Sequence, residues 1–227
     1  MGTARFLPLC VALIGSASAR PASVLPEMAR HLAFADRCLK ARDIDGVLAS
    51  TDLILLPRVR IFVDGRASTE SATTGLNEAL DLWGQATEGG VAFVRVSSPS
   101  EADVIVRFQS HLGTAACDFG GFTTWRRSVI REGHRAAWRL HADMELRTVQ
   151  PNGVPMTMPQ VRHAALHELG HVLGLADSKR VGDAMGPLDL SRPVARPDQS
   201  EVDELRCLRR EALQIRGAAL MELLLWP

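Results

Sequence analysis

The sequence predicts an α+β domain, because two kinds of apolar periodicity follow one another along the chain. In residues 58–63, Val59, Ile61 and Val63 occupy alternate positions, which is the pattern of a half-buried strand. Residues 69–87 instead carry apolar side chains at i, i+4 and i+7, which predicts a helix buried on one face. The core positions of that helix are Leu76, Leu80 and Trp83. A domain that buries both patterns in one core combines a sheet with helices.

The first 19 residues have the three parts of a secretory signal peptide. An arginine precedes the apolar run of residues 6–14, and Ala17-Ser18-Ala19 has the small residues of a cleavage site. The apolar run is well below the roughly 20 residues that cross a bilayer, so it predicts export without a membrane span. We therefore expect a secreted protein, extracellular or periplasmic.

Residues 20–56 form a segment of their own before the first strand. Its apolar residues lie along one face of a predicted helix, at Met28, Leu32, Ala35 and Leu39. Two interpretations stay open: an N-terminal helical extension packed on the domain, or a short propeptide. Residues 57–227 then form the main domain.

Charge and cysteine content narrow the choice of partners. The chain has 26 basic and 26 acidic residues and a formal net charge of zero. No long run of one sign occurs, so no nucleic-acid partner is expected. Outside the signal peptide, an oxidising compartment would allow one disulfide and one free thiol among Cys38, Cys117 and Cys207. The sequence leaves the choice of pair open.

Three more strands complete the predicted sheet. Residues 91–96 form the second strand. Residues 102–108 are almost continuously apolar, which suits a strand covered on both faces. Residues 138–147 alternate, with Trp138, Leu140, Ala142, Met144 and Leu146 facing inward. Between the last two strands, a long loop at 109–136 contains a predicted edge strand at 122–129.

A helix with metal-binding side chains is predicted to begin at about residue 158, because Thr157 and Gln160 have the spacing of a capping box. His167 and His171 lie one turn apart on one face, so both imidazoles reach a single ion at roughly 2.0–2.1 Å. Glu168 lies beside them but off the line of the ligands. A carboxylate there can accept a proton from metal-activated water and pass it to a leaving amine.

The third ligand is predicted just after this helix. Gly174 can adopt the left-handed conformation that ends a helix, so the chain turns back and Asp177 reaches the ion. Asp183 is the alternative ligand. His163 is too far from His171 along the helix axis to share the ion, and it is predicted to lie at the surface or rim. The pattern indicates a catalytic zinc site that hydrolyses peptide bonds.

The run from His167 to Asp177 resembles the metzincin motif H-E-x-x-H-x-x-G-x-x-H, with aspartate in place of the last histidine. Residues 169–175, Leu-Gly-His-Val-Leu-Gly-Leu, and the later Ser178 are similar to the matrixin branch, while aspartate as third ligand is similar to the snapalysins. Residues 183–187, Asp-Ala-Met-Gly-Pro, stand where the family has its methionine turn. Gly186 departs from the aromatic residue that matrixins usually carry there. The resemblance covers roughly residues 58–214.

This resemblance implies a zincin-like catalytic domain with a twisted, mostly parallel sheet, an active-site helix, a methionine turn and a C-terminal helix. It implies a zinc metalloendopeptidase that acts on polypeptides and uses Glu168 as general base and acid. One catalytic zinc would bind His167, His171 and Asp177. In the family, an edge strand such as 122–129 pairs with extended substrate.

Other family features are less evident in this chain. The residues available for structural metals are His111, Asp118, His134 and His141, and they lack the family's spacing, so no structural zinc is expected and calcium stays open. The segment around Cys38 lacks the prolines and the glycine of the matrixin cysteine switch, so Cys38 is not expected to cap the zinc. We expect a monomer.

The C-terminal region is predicted to be helical. Residues 200–203, Ser-Glu-Val-Asp, have a second capping signature, and a stripe of apolar residues follows it at Leu205, Leu208, Ala212 and Ile215. The tail from residue 218 to the end is too short to span a membrane and is predicted to pack on the core.

Two other functions remain open. A zinc-dependent small-amide or cell-wall hydrolase would use the same ion in a closed pocket. A non-proteolytic zinc-binding interaction module would have no need of Glu168.

Overall fold

The computed structural model describes residues 24–114, 117–118, 120–133 and 135–225. The predicted signal peptide at 1–19, His134 and the side chains of residues 114–119 lie outside the described part. Within the described ranges, no helix combines the length and the apolar character that crossing a membrane requires.

Five strands form the main sheet. They are β1 (Arg58–Asp64), β2 (Ala92–Arg95), β3 (Val104–Gln109), β6 (Gly121–Glu132) and β7 (Arg135–Arg147). Their order in the sheet is β2-β1-β3-β7-β6. The first four of these run parallel, and β6 pairs antiparallel with β7. Two short strands, β4 (Gly113–Thr114) and β5 (Cys117–Asp118), form a separate ribbon. The mostly parallel sheet is confirmed, and the predicted edge strand is β6.

The described helices are α1 (Pro26–Lys40), α2 (Ile44–Leu55), α3 (Glu70–Ala86), α4 (Met158–Leu173) and α5 (Gln199–Leu225). The core lies between the sheet, α3 and α4, where α3 buries Leu76, Leu80 and Trp83 as predicted. The indole nitrogen of Trp83 donates to the main-chain oxygen of Leu166, 2.9 Å away, and so joins the two helices. Thr157 and Gln160 form the predicted capping box, which fixes the start of α4.

The N-terminal helices pack on the rest of the domain. α1 buries Met28, Leu32, Ala35 and Cys38. Met28 and Leu32 share an apolar cluster with Ile54 of α2 and Leu208 of α5. The helices α1, α2 and α5 therefore form a second hydrophobic core beside the main one.

Cys38 lies in a small apolar cluster with Val47 and Ala219, and this cluster includes no residue of α4. Burial raises the pKa of the Cys38 thiol, and the Asp43 side chain beside it raises it further. Since a thiol binds zinc as the thiolate, both effects disfavour a cysteine switch. Cys38 and Cys207 are free thiols.

Two predictions about the C-terminal region are wrong. Asp198, and not Ser200, caps α5, because its carboxylate accepts from the Ser200 backbone amide at 2.9 Å. Over residues 220–225 the tail does not pack on the core, although Ala219 just before them is buried. With 27 residues, α5 is about 40 Å long. It exceeds both helical partners, so its last turns leave apolar residues exposed at Leu220, Met221, Leu223, Leu224 and Leu225.

Candidate active site

The end of α4 directs the chain back toward the two histidines. Gly174 follows the last helical residue with φ of +106°, a left-handed conformation that side chains other than glycine's adopt with strain. Space also requires glycine, because an added Cβ would lie 2.8 Å from Cγ of Met28. The amide of Leu175 donates to the Gly170 carbonyl at 2.9 Å and completes the turn. This turn returns Asp177 to the helix face that carries His167 and His171.

The candidate ligand atoms of His167, His171 and Asp177 all lie within 4.8 Å of one another. Oδ1 of Asp177 is 3.1 Å from Nε2 of His167 and 3.4 Å from Nε2 of His171. A tetrahedral zinc ion with bonds of roughly 2.0–2.1 Å separates its ligand atoms by about 3.3 Å. The three side chains therefore fit around one zinc ion.

Main-chain carbonyl groups set the tautomers of both imidazoles. Nδ1 of His167 is 3.1 Å from the oxygen of Ala184, and Nδ1 of His171 is 3.0 Å from the oxygen of Leu175. A carbonyl oxygen only accepts, so each Nδ1 carries the proton and each Nε2 keeps its lone pair for a metal. Burial lowers the pKa of His167, and the positive charge of a protonated His171 would lower it further, so the neutral form that binds metals is favoured.

Glu168 is a buried carboxyl group beside this cluster, with only 5% of its surface exposed. Burial raises its pKa to about 7; the neighbouring Thr123 opposes this shift, and the charge of Asp177 adds to it. The start of β6 passes directly over it, since a Cβ at Gly121 would lie 2.6 Å from Cγ of Glu168. Such a group can accept and return a proton near neutral pH.

A cleft of about 560 Å³ opens beside these groups. Its lining includes His167, Glu168 and Asp177, together with Gly121, the first residue of β6, and Gly120 before it. A larger cavity of about 710 Å³ lies between α3 and β2, but none of the candidate ligands lines it. The open space and the reactive side chains therefore coincide at the first of these two cavities.

The sequence model of the matrixin family matches residues 61–204, more than half of the chain. The chain belongs to the matrixin family. It is therefore a zinc metallopeptidase whose substrates are polypeptides, and its α+β metzincin fold is confirmed. No curated protein is similar enough to the chain to count as a match.

The methionine turn of this matrixin is held by a residue that the sequence did not single out for this role. The Glu201 carboxylate, on the first turn of α5, accepts from the amides of Met185 at 2.6 Å and Ala184 at 3.1 Å. Ala184 is also the residue whose carbonyl orients His167. Glu201 belongs to the capping signature that the sequence shows at residues 200–203. The amides that it accepts from lie 16 and 17 residues earlier, so the sequence pattern does not indicate this contact. Glu201 thus connects α5 to the orientation of His167.

The structure does not bring Asp183, the alternative ligand, into the metal cluster. Its Oδ2 accepts from the hydroxyl of Ser178 at 2.8 Å, and its side chain is 8% exposed. Among the described residues, the cluster of possible metal ligands consists of the two histidines and Asp177. Asp183 instead stabilises the loop that follows Asp177.

The prediction that His163 lies at the surface or rim is wrong. It is 1% exposed, because α4 is buried on almost every side along its middle turns. Neither of its ring nitrogens has a hydrogen-bond partner. Burial lowers the pKa of His163 to about 4, and the nearby His167 adds to the effect. His163 is thus a neutral core residue of the matrixin.

Replacing His163 by leucine is expected to weaken the acid sensitivity of folding. Because its pKa in the folded protein is about 4, below the ordinary 6.5, protonation opposes folding. The stability of the neutral side chain is fully present above pH 6.5 and is lost as pH falls toward 4. Between these limits, wild type should lose about 1.4 kcal/mol of unfolding free energy relative to His163→Leu for each unit by which the pH falls. Urea unfolding of both proteins, kept metal-free by chelator, measures this difference; parallel pH dependences would contradict it.

Proposed function

We propose that this matrixin is a secreted endopeptidase that cleaves extended polypeptides, with one catalytic zinc bound by His167, His171 and Asp177 and with Glu168 as general base and acid. The observation that carries the proposal is the convergence of three ligand atoms within one coordination sphere, beside a buried carboxyl group, in an open cleft. The ligand set supports zinc in particular, since two imidazoles and one carboxylate leave a fourth position open for chemistry.

Glu168 lines the cleft beside the candidate metal ligands, where a carboxylate can carry out both proton transfers of peptide hydrolysis. A zinc ion held by His167, His171 and Asp177 would acidify a water molecule and polarise the carbonyl group of the substrate. Glu168 accepts the proton that the attacking water releases and then donates it to the departing amine. Without metal, burial raises the pKa of Glu168 to about 7; the charge of a bound zinc ion would lower this pKa and favour the ionised carboxylate that accepts the first proton.

The edge strand β6 supports binding of an extended chain. It ends the sheet and has β7 as its neighbour on one side. Its outer main-chain groups can therefore pair with a substrate strand, and this pairing does not depend on side chains. Gly120 and Gly121 place the start of this strand at the cleft. The arrangement favours a peptide groove over the closed pocket of a small-amide hydrolase.

We also propose that the protein is exported and monomeric. The apolar leader and the Ala17-Ser18-Ala19 site predict cleavage after residue 19. Sequencing the N-terminus of the exported protein, and measuring its mass in solution, tests both proposals.

Replacing Glu168 by glutamine should reduce turnover of an unfolded protein substrate by at least roughly 10²–10⁴-fold, the usual contribution of a general base. Zinc should remain bound, because Glu168 moves protons and is not a ligand. Glu101→Gln, which changes an exposed glutamate, should leave turnover unaffected. Retained activity in Glu168→Gln would rule out the mechanism, and zinc without any proteolysis in wild type would favour the interaction module.

The third ligand can be tested by comparing two aspartates. Asp177→Ala should lower zinc affinity by more than the roughly 10–100-fold that loss of an outer-sphere partner causes, whereas Asp183→Asn should keep the metal. Asp177→His should also keep zinc, since histidine serves at this position in the family motif. Metal analysis and chelator competition measure the affinities. Loss of zinc in Asp183→Asn, with retention in Asp177→Ala, would transfer the assignment to Asp183.

A further inference from the structure

A buried cation lies against the end of α4, next to the candidate ligand His171. The side chain of Arg127, on β6, is fully buried. One of its terminal nitrogens donates to the main-chain oxygens of His171 at 2.9 Å and Val172 at 2.6 Å. The last carbonyl groups of a helix lack partners within the helix and carry partial negative charge. Arg127 adds a donor and a positive charge at this end, where the Gly174 amide also donates to the His171 oxygen at 3.1 Å.

The partner of this cation comes from the N-terminal segment. Oε1 of Glu27, in the first turn of α1, accepts from the Arg127 guanidinium. The same oxygen accepts from the indole nitrogen of Trp125 at 2.7 Å. A buried guanidinium without its carboxylate would be strongly destabilising, so Glu27 is needed to keep Arg127 in place.

Trp125 makes the second contact with the metal site. Its ring stacks on the imidazole of His171, with ring centroids 5.4 Å apart and an angle of 21° between the planes. Glu27 therefore holds both neighbours of His171: Trp125 against its ring, and Arg127 against its main chain. Groups that orient a metal ligand affect metal affinity even when they do not touch the ion.

The chain around Glu27 also contacts the turn that leads to Asp177. The amide of Leu25 donates to the Gly174 carbonyl at 2.8 Å, and Val24 forms an antiparallel bridge with Leu175. Leu175 is the residue whose carbonyl orients His171. Met28 packs against Gly174. Residues 24–28 thus support the turn on which the third candidate ligand depends.

We propose that Glu27 is a positioning residue of the zinc site, and that residues 24–56 are a permanent part of the active enzyme and not a removable propeptide. This rests on the proposed function, since it takes His171 as a zinc ligand. Further contacts join the segment to the domain: Arg209 donates to the Leu55 carbonyl and Arg216 pairs with Asp52. Removing the segment would leave Arg127 without its carboxylate and uncover Gly174.

The test compares zinc affinities, measured by chelator competition on the full mature chain well below its unfolding temperature. Glu27→Gln should weaken zinc binding by about tenfold or more, since Arg127 and Trp125 lose a charged acceptor. Trp125→Phe keeps an aromatic ring on His171 but removes the indole donor, so it should weaken binding in the same direction by less. The absorption spectrum of the Co²⁺-substituted protein should shift in Glu27→Gln, because the geometry around His171 changes.

Two controls on the same helix separate positioning from general stability. Asp36→Asn removes an exposed carboxylate paired with Lys40, and it should leave zinc affinity within twofold of wild type. Leu32→Ala removes buried packing without touching the network, so it should lower Tm but not zinc affinity. An unchanged affinity in Glu27→Gln would overturn the proposal. So would an equal loss in Leu32→Ala at a comparable fall in Tm.

The N-terminus of the active protein gives an independent result. Sequencing of enzyme purified in active form should find a first residue that precedes Val24, and an active form that begins after Leu55 would overturn the permanence of the segment. Failure of the proposed function and failure of this proposal give different results. Wild type that binds zinc without cleaving peptides would refute the endopeptidase, and the zinc affinities of the variants would still decide the role of Glu27.

Discussion

The active site depends on how α4 ends. The helix brings two imidazoles to one face, but the third candidate ligand reaches them because the chain reverses at Gly174. That reversal needs a left-handed backbone and a close approach by Met28, and glycine alone satisfies both at little cost. The same turn presents the Leu175 carbonyl to His171. One backbone conformation therefore sets both the ligand geometry and a tautomer.

Buried charges surround this helix, and their environments separate structural roles from catalytic ones. Arg127 is paired with Glu27, and Glu201 accepts from three main-chain amides. These partners offset part of the cost of burying the two groups; Nε of Arg127 has no hydrogen-bond partner, and burial raises the pKa of Glu201. Glu168 lacks a cationic partner among the described residues, and burial raises its pKa to about 7. A buried carboxyl group left able to titrate near neutral pH is characteristic of a catalytic site.

Three elements far apart in sequence support the two histidines of α4, at the end of the helix beside His171 and at the methionine turn beside His167. β6 contributes Trp125 and Arg127, α5 contributes Glu201, and the N-terminal helix contributes Glu27. Because the N-terminal segment shares an apolar cluster with α5, removing either element would expose buried apolar residues of the other. The catalytic cleft is thus supported by both ends of the described chain, and not by the motif helix alone.

The features that depend on local spacing could be predicted from the amino-acid sequence. Periodicity predicted α3 and the strands, the capping box predicted the start of α4, and the offsets of His167, His171 and Glu168 predicted the catalytic chemistry. The predictions of α3, the strands and the capping box are confirmed, because helix and strand geometry fix the relative positions of residues close in sequence, whereas the catalytic chemistry stays a prediction.

The groups that surround the site could not be predicted in this way, because they come from segments that are distant in sequence. Glu27 and Trp125 are 98 residues apart, and no local pattern announces their contact. His163 was assigned to the surface because its position on the helix is visible in the sequence, whereas the elements that cover it are not. The exposed end of α5 has the same cause, since its apolar residues predict burial but the lengths of its partner helices decide it. Burial depends on packing between segments that are distant in sequence, so local sequence patterns do not predict it reliably.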